Sequence, residues 1–288
     1  DRFIFALMTY ENLQKSFLES SSLDLESRER LAVFWIMIFH VNHWSRIKYE
    51  MHKKEIITTE KQESYIDIIQ RLETSEPIQY ITGSTEFYGN THLVNTDVLI
   101  PRPETEELVD WIVSDQKTTK NQKYLDIGTG SGCIINSLAL NLNGTFTGYD
   151  FSNLALSTAK SNAKALKSDV TFKVEDILQS KLRGADYDVI VSNPPYIPFK
   201  DKIEMKSNVL EYEPEIALFV SNEDPLIFYK AILKFCLLNL SKSGTLYFEI
   251  HEDYKEELKA IVEEEKYSCQ FRKDMQGRAR MLKIWNLV

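Results

Sequence analysis

The stretch DVIVSNPPYIP, residues 188–198, joins an apolar run to an amide, two prolines and an aromatic ring. The apolar run predicts a strand. Because Pro194 and Pro195 have no backbone N–H to donate, that strand cannot continue through them. The sequence therefore predicts a rigid corner directly after a strand, with Asn193 before it and Tyr196 after it.

This corner has the groups needed to orient a weakly nucleophilic nitrogen. The lone pair of an amide or aromatic amine is delocalised, so such a nitrogen attacks poorly unless it is held in place. The Asn193 side-chain oxygen and the Pro194 carbonyl can accept its two N–H hydrogens, and the Tyr196 ring can stack on the planar group and favour developing positive charge. Orientation of this kind contributes on the order of 7–11 kcal/mol. We predict that these three residues are catalytic in transferring a methyl group to a planar nitrogen, the alternative being a proline-rich turn without chemistry.

The segment LDIGTGSGC, residues 125–133, predicts a ligand-binding loop. A strand followed by Gly128, Gly130 and Gly132 lets the backbone approach a ligand closely, and the next helix presents free N–H groups at its start. By itself the pattern also fits a tight strand-to-helix turn that binds nothing. The spacing differs from the G-x-G-x-x-G of dinucleotide-binding loops, which disfavours a nicotinamide cofactor.

Acidic residues end the next two predicted strands. Asp150 follows the glycine loop at the position where open α/β sheets bind ribose hydroxyls. Asp176, with Ile177 after it, ends the third strand and could meet an adenine ring, although a solvated loop acid explains Asp176 equally well. Since the carboxyl ends of parallel strands share one edge, a nucleoside and the Asn193 corner are expected to face each other across one crevice.

The sequence around these motifs alternates between strand-like and helical patterns. Strand-like runs occupy residues 124–128, 145–150, 170–176, 187–193 and 244–250, with helical stretches such as 153–166 and 226–240 between them. This alternation predicts a parallel, doubly wound α/β sheet. The tail predicts two more strands around a turn at Gly277, and residues 197–225 predict a long loop beside Asn193.

The first part of the chain is organised differently. Residues 1–76 contain neither Gly nor Pro and predict a small helical domain. Residues 77–103 contain short β-type runs with Gly83 and Gly89 and predict a β-hairpin linker. Residues 104–288 then form the domain that carries the motifs.

The composition limits the classes of partner. The formal net charge of −9 disfavours duplex DNA, whose binding requires a basic surface. The three cysteines fit neither a zinc site nor a disulfide framework, and the longest apolar run, residues 31–41, is too short to span a membrane. We therefore expect a cytoplasmic monomer without a metal site. A basic cluster near the C-terminus could contact RNA or an acidic partner, or could consist of strand-edge charges; it comprises Arg272, Lys273, Arg278, Arg280 and Lys283.

Taken together, the motifs resemble those of the class I S-adenosylmethionine-dependent methyltransferases. Within that class the chain is similar to the protein-(glutamine-N5) methyltransferases of peptide chain release factors, over nearly its whole length. The shared segments are PIQYITGSTEFYG (77–89), IPRPETEELV (100–109), LDIGTGSGCI (125–134), SNPPYIP (192–198), EYEPEIAL (211–218) and QGRARM (276–281). Asn-Pro-Pro-Tyr alone also occurs in adenine-N6 DNA methyltransferases, whereas its combination with Arg-Pro-Glu-Thr-Glu at 102–106 is more specific.

The resemblance implies a fold and a reaction. The fold is a seven-stranded, mostly parallel methyltransferase sheet preceded by a helical bundle, which binds the release factor, and a β-hairpin linker. The reaction methylates the side-chain amide of the glutamine in the release factor's Gly-Gly-Gln motif and converts S-adenosylmethionine to S-adenosylhomocysteine. The implied cofactor contacts are Phe87, Thr105, Gly128, Thr129, Gly130, Ser131, Gly132, Asp150, Asp176, Ile177 and Asn193. The implied substrate contacts are Asn193, Pro194, Pro195 and Tyr196.

Two other functions stay open at this point. An adenine-N6 DNA methyltransferase would present the same two N–H hydrogens to Asn193 and Pro194, although the acidic charge and the lack of a DNA-reading module disfavour it. A non-catalytic methyltransferase-like binding protein would not need to keep the glycine loop, Asp150 and the Asn193 corner together. The chain also departs from the family at residues 219–225, which replace a frequent glycine-rich turn, and at Ile177, where an aromatic residue is common.

Overall fold

The computed structural model describes residues 8–23 and 25–287, and within them the backbone separates into two compact units. The first unit contains the residues up to Gly83 together with Lys206–Tyr212. The second contains Ser84–Met205 and the residues from Glu213 onward. Within the described ranges, no helix is long and apolar enough to cross a membrane.

The first unit is helical, as the uninterrupted apolar periodicity predicted. Its first helices are α1 (Tyr10–Glu19), α2 (Ser27–Asn42), α3 (Arg46–His52), α4 (Thr59–Glu73) and α5 (Ile78–Thr82). Side chains at Thr9 and Ser45 cap α1 and α3 by accepting hydrogen bonds from backbone N–H groups of the first turn. Buried side chains then join the helices into one core, including Phe17, Phe34, Met37, Tyr49 and Tyr65.

A short antiparallel hairpin opens the second unit. Its strands are β1 (Ser84–Phe87) and β2 (Asn90–Leu93), and the turn residues Tyr88 and Gly89 have positive φ values of 48° and 74°. Two successive positive φ values are what a tight two-residue hairpin turn requires. The hairpin is shorter than residues 77–103, because α5 precedes it and residues 94–102 form neither helix nor strand.

A seven-stranded sheet forms the centre of the second unit. The elements after the hairpin are α6 (Pro103–Gln116), β3 (Gln122–Ile127), α7 (Cys133–Asn141), β4 (Gly144–Asp150), α8 (Asn153–Leu166), β5 (Val170–Val174), β6 (Tyr187–Ser192), β7 (Ile197–Pro198), α9 (Ser207–Tyr212), β8 (Phe219–Val220), α10 (Ile227–Asn239), β9 (Leu240–Glu249), α11 (Lys255–Glu264), β10 (Ser268–Lys273) and β11 (Ala279–Trp285). The strand order is β10-β11-β9-β6-β3-β4-β5, with β11 antiparallel to both neighbours and the other pairs parallel. This confirms the predicted mostly parallel sheet and the two strands around Gly277.

The strand order reverses at β3, whose neighbours β4 and β6 lie on its opposite sides. A crevice forms at the carboxyl ends of the strands at such a point, and open α/β sheets bind ligands there. Both β3 and β6 are buried along most of their length, as central strands of a sheet covered by helices on both faces are. The topology therefore brings Gly128, Asp150 and Asn193 to one edge of the sheet.

Residues 197–225 are more regular than the long loop that the sequence predicted. They contain β7, α9 and β8 as well as two short 3-10 helices, and β7 pairs in parallel with β8. Helix α9 belongs to the first unit, where the Tyr212 hydroxyl donates to the Thr74 carbonyl at 3.0 Å. Each of these elements is too short to produce a readable hydrophobic period.

Candidate active site

A cavity of about 370 Å³ lies at the carboxyl ends of β3, β4 and β6. Most of the residues predicted to bind cofactor or substrate line it, namely Thr105, Gly128, Thr129, Gly130, Ser131, Asp150, Asp176, Ile177, Asn193, Pro194 and Pro195. Further lining residues include Val98, Arg102, Cys133, Phe151 and Phe228. One crevice thus joins the glycine loop, two acids and the Asn193 corner.

The glycine loop after β3 forms one wall of the cavity. Gly128 and Gly130 have φ values of 73° and 55°, a region that residues with side chains rarely occupy. The backbone N–H groups of Gly128 and Thr129 donate to the Tyr149 carbonyl at 2.8 and 2.9 Å and fix the loop to the end of β4. A Cβ added at Gly128 or Gly130 would meet no atom within 4 Å. The space beside both residues is therefore open to a ligand.

Gly132, predicted as a cofactor contact, lies in a tightly packed environment. It does not line the cavity but precedes α7 as its N-cap with a φ of 77°. A Cβ there would lie 2.8 Å from Asn136 Nδ2 and 3.1 Å from Ala159 Cβ. A glycine suits this position because α7 and α8 pack closely here; its cofactor contact stays a prediction.

Asp150 presents a nearly buried carboxylate to the cavity, with 8% of the residue exposed. One carboxylate oxygen accepts from the Gly130 N–H at 2.9 Å and the other from the Ser152 N–H at 2.9 Å. Burial raises the pKa of Asp150, and these backbone donors oppose that rise. Since each carboxylate oxygen can accept more than one hydrogen bond, both can also accept from a pair of hydroxyls.

Asp176 and Ile177 line the cavity after β5. The Asp176 carboxylate accepts from the Leu178 N–H at 3.0 Å and from the Gln179 side chain at 2.8 Å. These local bonds hold the turn in place. Phe151 also lines the cavity, and it supplies an aromatic ring that the sequence reasoning did not consider.

The Asn193 side chain is held by a chain of hydrogen bonds that leads from the cavity wall to the buried Glu249. Its Nδ2 donates to Thr105 Oγ1 at 3.3 Å, and Thr105 donates to Glu249 Oε2 at 2.6 Å. The Tyr196 hydroxyl donates to the other Glu249 oxygen at 3.2 Å. Glu249 is only 2% exposed, and burial raises its pKa while the Thr105 hydrogen bond and the positive charge of Arg280 oppose the rise. The sequence reasoning missed Glu249, whose only signal is an acid ending an apolar strand.

Tyr196 and Phe87, which were also predicted at the site, are not among the residues that line the cavity. The Tyr196 ring packs edge-on against the His251 ring, with the two ring centroids 5.7 Å apart. In this position the Tyr196 hydroxyl donates to Glu249. The Phe87 ring is buried against His92 at 5.8 Å, within the core beneath the hairpin. Phe87 packs inward while the preceding Glu86 is exposed, since successive side chains of a strand point to opposite faces.

Asp126 lies directly before the glycine loop, and its side chain is fully buried. One carboxylate oxygen accepts from the Thr129 hydroxyl at 2.6 Å, while the other has no hydrogen-bond partner among the described residues. Desolvation raises the pKa of Asp126 to about 7. This carboxyl therefore fixes the loop from behind rather than lining the cavity.

Known protein families and relatives match nearly the whole chain. A family model described as "Methyltransferase domain" matches residues 118–279, and one described as "PrmC N-terminal domain" matches residues 14–83. The release factor glutamine methyltransferase of Flavobacterium psychrophilum is 38% identical over 282 residues, covering 96% of this chain and 99% of that protein. The chain belongs to the release factor glutamine methyltransferase family.

Other comparisons agree with this family and with the fold. The release factor glutamine methyltransferase of Bacteroides thetaiotaomicron is 44% identical over 235 residues, covering 81% of this chain and 84% of that protein. Among solved structures, the delta-N METTL16 methyltransferase domain is 18% identical with a TM-score of 0.50, covering 69% of this chain and 90% of that one. At this identity the structural similarity supports the fold alone.

The cavity of this release factor glutamine methyltransferase family member fits S-adenosylmethionine. The open space beside Gly128 and Gly130 is a cradle that any side chain would fill. Asp150 offers two carboxylate oxygens to a hydroxyl pair, as a ribose requires. Phe151 and Ile177 supply apolar walls nearby. The chemistry of the residues present therefore agrees with a nucleoside carrying an amino-acid tail.

The basic C-terminal cluster is largely paired within the second unit. The Arg272 guanidinium lies 4.4 Å from the Trp111 ring centroid. The other pairs are Arg278 with Glu252 at 3.4 Å, Arg280 with Asp274 at 3.3 Å and Lys283 with Asp115 at 2.7 Å. These contacts favour strand-edge charges over a surface that recognises phosphates.

Proposed function

We propose that this chain transfers a methyl group from S-adenosylmethionine to the side-chain nitrogen of the glutamine in the Gly-Gly-Gln motif of a peptide chain release factor. The observation that carries the proposal is the position of Asn193 and Pro194 in the wall of the same cavity as the glycine loop and Asp150. Family membership over 96% of the chain supplies the substrate class.

For the cofactor, we assign the ribose to Asp150 and the adenine to the walls formed by Asp176, Ile177 and Phe151. The methionine part lies along residues 128–131 and beside Thr105. When bound, S-adenosylmethionine supplies an electrophilic methyl carbon, whose bond to the positively charged sulfur breaks with the electron pair staying on sulfur.

For the substrate, we assign the acceptors at the corner after β6 to the glutamine amide. Asn193 Oδ1 and the Pro194 carbonyl accept its two N–H hydrogens and direct the nitrogen lone pair toward the methyl carbon. As the C–N bond forms, the nitrogen becomes positively charged and its proton is then lost to water, so no strong base is needed. Tyr196 keeps the corner in place through Glu249, in place of the ring stacking expected from the sequence.

For the chain as a whole, we propose that residues 1–76 dock the release factor away from the reacting loop, that residues 77–103 are a linker and that residues 104–288 are catalytic. The presence of a separate core in the first unit supports an independent docking role. A release factor substrate also supports a cytoplasmic location, and we expect a monomer.

Replacing Asn193 by Ala tests this function directly. We expect methylation to fall about 100-fold or more, because an acceptor to a group gaining charge is lost together with its orientation. The purified protein is offered S-adenosylmethionine and a release factor. Mass spectrometry then measures a mass gain of about 14 Da, one CH₂ group, on the peptide that contains Gly-Gly-Gln. Asn143→Ala, at the opposite edge of the sheet on an exposed residue, serves as the matched control and keeps full activity.

The same assay includes duplex DNA as a competing substrate. Methyl on adenine N6 with none on glutamine would replace this proposal with the DNA reaction. Binding of the cofactor without transfer to either substrate would favour a non-catalytic binding protein.

A further inference from the structure

The Asn193 amide can serve the proposed reaction in only one of its two orientations. Its side chain carries an acceptor oxygen and a donor NH₂ group of nearly the same shape, and a half-turn exchanges them. With Oδ1 toward the glutamine, the side chain accepts an N–H hydrogen. With NH₂ toward it, two donors would oppose each other. Some feature of the protein must therefore decide which end of Asn193 faces the cavity.

Thr105 supplies the first part of that decision. A threonine hydroxyl has one hydrogen to donate and lone pairs to accept with. Thr105 lies between Asn193 and Glu249, with its oxygen 3.3 Å from Asn193 Nδ2 and 2.6 Å from Glu249 Oε2. The hydroxyl can donate to only one of these two neighbours.

Glu249 supplies the second part, because an ionised carboxylate accepts hydrogen bonds and cannot donate them. The single Thr105 hydrogen must therefore point to Glu249, which leaves only lone pairs toward Asn193. The Asn193 NH₂ group then faces Thr105, and its oxygen faces away from it. Burial raises the pKa of Glu249, whereas the Thr105 and Tyr196 hydroxyls and the Arg280 charge oppose that rise and favour the ionised form.

The same carboxylate also fixes the far end of the corner. Its second oxygen accepts from the Tyr196 hydroxyl at 3.2 Å, and the Glu249 carbonyl accepts from Tyr229 at 3.1 Å. Glu249 itself does not line the cavity and is 2% exposed. It thus bonds directly to Tyr196 at one end of the Asn-Pro-Pro-Tyr segment and reaches Asn193 at the other end through Thr105.

We propose that Glu249 is a positioning residue that, through the Thr105 hydroxyl, orients the Asn193 amide with its oxygen toward the substrate nitrogen and, through Tyr196, holds the corner rigid. This role rests on the proposed function for its consequence in catalysis. The orientation of Asn193 itself is a property of the protein without substrate.

The activity test compares Glu249→Gln with Glu252→Gln. In Glu249→Gln the amide can donate to Thr105, so Thr105 no longer forces the orientation of Asn193, and kcat falls about tenfold or more while the cofactor Kd stays within about threefold. Glu252 lies three residues further on, in an exposed ion pair, and its variant keeps the activity within about twofold. Equal kcat values for the two variants would overturn the proposal.

Thr105 provides a second route in case Glu249→Gln folds poorly. Thr105→Val removes the hydroxyl at nearly constant volume and lowers kcat about tenfold, whereas Thr105→Ser keeps a hydroxyl and stays within about threefold. Both changes interrupt the same hydrogen-bond chain from Glu249 through Thr105 to Asn193. The fold loss of kcat in the double variant Thr105→Val/Glu249→Gln should therefore be clearly smaller than the product of the two single losses. Multiplicative losses would show that the two residues act separately.

A spectroscopic readout separates failure of this inference from failure of the proposed function. In ¹⁵N-labelled protein without ligands, the Asn193 side-chain NH₂ resonances are assigned by their loss in Asn193→Ala. We expect slowed hydrogen exchange at this NH₂ group in the parent protein and in Thr105→Ser, and faster exchange in Thr105→Val and Glu249→Gln. If the parent protein fails to methylate the release factor, the proposed function falls, but this measurement still decides the orientation. Unchanged exchange in both latter variants would overturn the inference.

Discussion

Single residues decide the chemistry of this site, and Asp150 shows how. Its carboxylate is held by two backbone N–H groups and still presents free lone pairs to the cavity. The sequence predicted its place at the end of a strand, but the two N–H donors depend on how the glycine loop folds over that strand. A local motif and its tertiary surroundings thus act on the same two oxygens.

Changing Asp150 to Asn should weaken cofactor binding selectively. An amide can accept through one atom only, so at least one charge-assisted hydrogen bond, worth about 1.5–3 kcal/mol, is lost. We expect the Kd for S-adenosylmethionine to rise about 10- to 100-fold in isothermal titration calorimetry. Asp169→Asn is the matched control, since Asp169 is exposed just before β5, away from the carboxyl edge. A Kd unchanged in Asp150→Asn would contradict the ribose assignment.

His92 predicts how stability depends on pH. The residue is fully buried, both ring nitrogens lack a partner among the described residues, and burial lowers its pKa from 6.5 to about 4. The unfolded chain therefore takes up the proton first as the pH falls, so stability is complete above about pH 6.5 and decreases toward pH 4. The contribution lost across this window is about 3 kcal/mol.

Denaturant unfolding between pH 4 and 7 measures this loss. His92→Leu removes the buried imidazole and should flatten the pH dependence, whereas His43→Asn removes an exposed histidine and keeps the slope. Asn suits position 43 because His43 has a positive φ of 55°. A parent-like slope in His92→Leu would assign the pH dependence to other groups.

At the scale of elements, the five-residue glycine loop must leave space for a ligand at one glycine and allow two helices to pack closely at another. Gly130 borders open space, while Gly132 lies where α7 approaches α8. The sequence pattern G-x-G-x-G treats these glycines as equivalent. Only the packing of the helices distinguishes the glycine that faces a ligand from the one that faces a neighbour.

Alanine at each glycine separates these requirements. Gly132→Ala should lower the free energy of unfolding by about 2–5 kcal/mol, because a Cβ 2.8 Å from Asn136 adds overpacking of about 1–3 kcal/mol to about 1–2 kcal/mol of backbone strain from the positive φ. Gly130→Ala meets no protein atom, so its stability cost is limited to about 1–2 kcal/mol of backbone strain, and its main effect is on cofactor affinity. Thermal unfolding should therefore show the larger loss of stability in Gly132→Ala. Calorimetry should show the larger loss of cofactor affinity in Gly130→Ala.

The segment between β6 and α10 makes contacts that the pattern of a single helix or strand cannot predict. The buried Glu213 accepts from the Ile100 N–H at 3.2 Å and pairs with Arg102, which lines the cavity. These residues come from two motifs more than a hundred positions apart, IPRPET and EYEPEIAL. Their sequences indicated the family, but no periodicity within either segment indicates that they bind each other.

The net charge of the whole molecule predicts whether it binds nucleic acid. The net charge is −9, and most of the basic C-terminal cluster is already paired. We expect no mobility shift of a short DNA duplex at protein concentrations up to about 10 µM in about 0.15 M salt. Tight binding with a steep salt dependence would instead indicate a basic surface and revive the adenine-N6 alternative.

The sequence by itself determined the alternation of strands and helices in the second unit, the mostly parallel sheet, and the meeting of the glycine loop, Asp150 and the Asn193 corner at one edge. It could do so because strand periodicity, glycine spacing and the rigidity of two prolines are local properties, and because a parallel sheet must bring its carboxyl ends to one edge. Gly128, Asp150 and Asn193 were predicted for this reason. The hairpin, by contrast, was placed only within a longer segment, since its limits depend on where α5 joins the helical core.

Tertiary structure alone decided which predicted residues face the cavity and what holds them there. Tyr196 and Phe87 turn inward because Glu249 and the core beneath the hairpin provide their partners. Glu249 comes from β9 and Thr105 from α6, and they meet the Asn193 corner only because β9 lies beside β6. Hydrogen bonds between residues far apart in the chain depend on strand order, and no spacing along a single sequence encodes them.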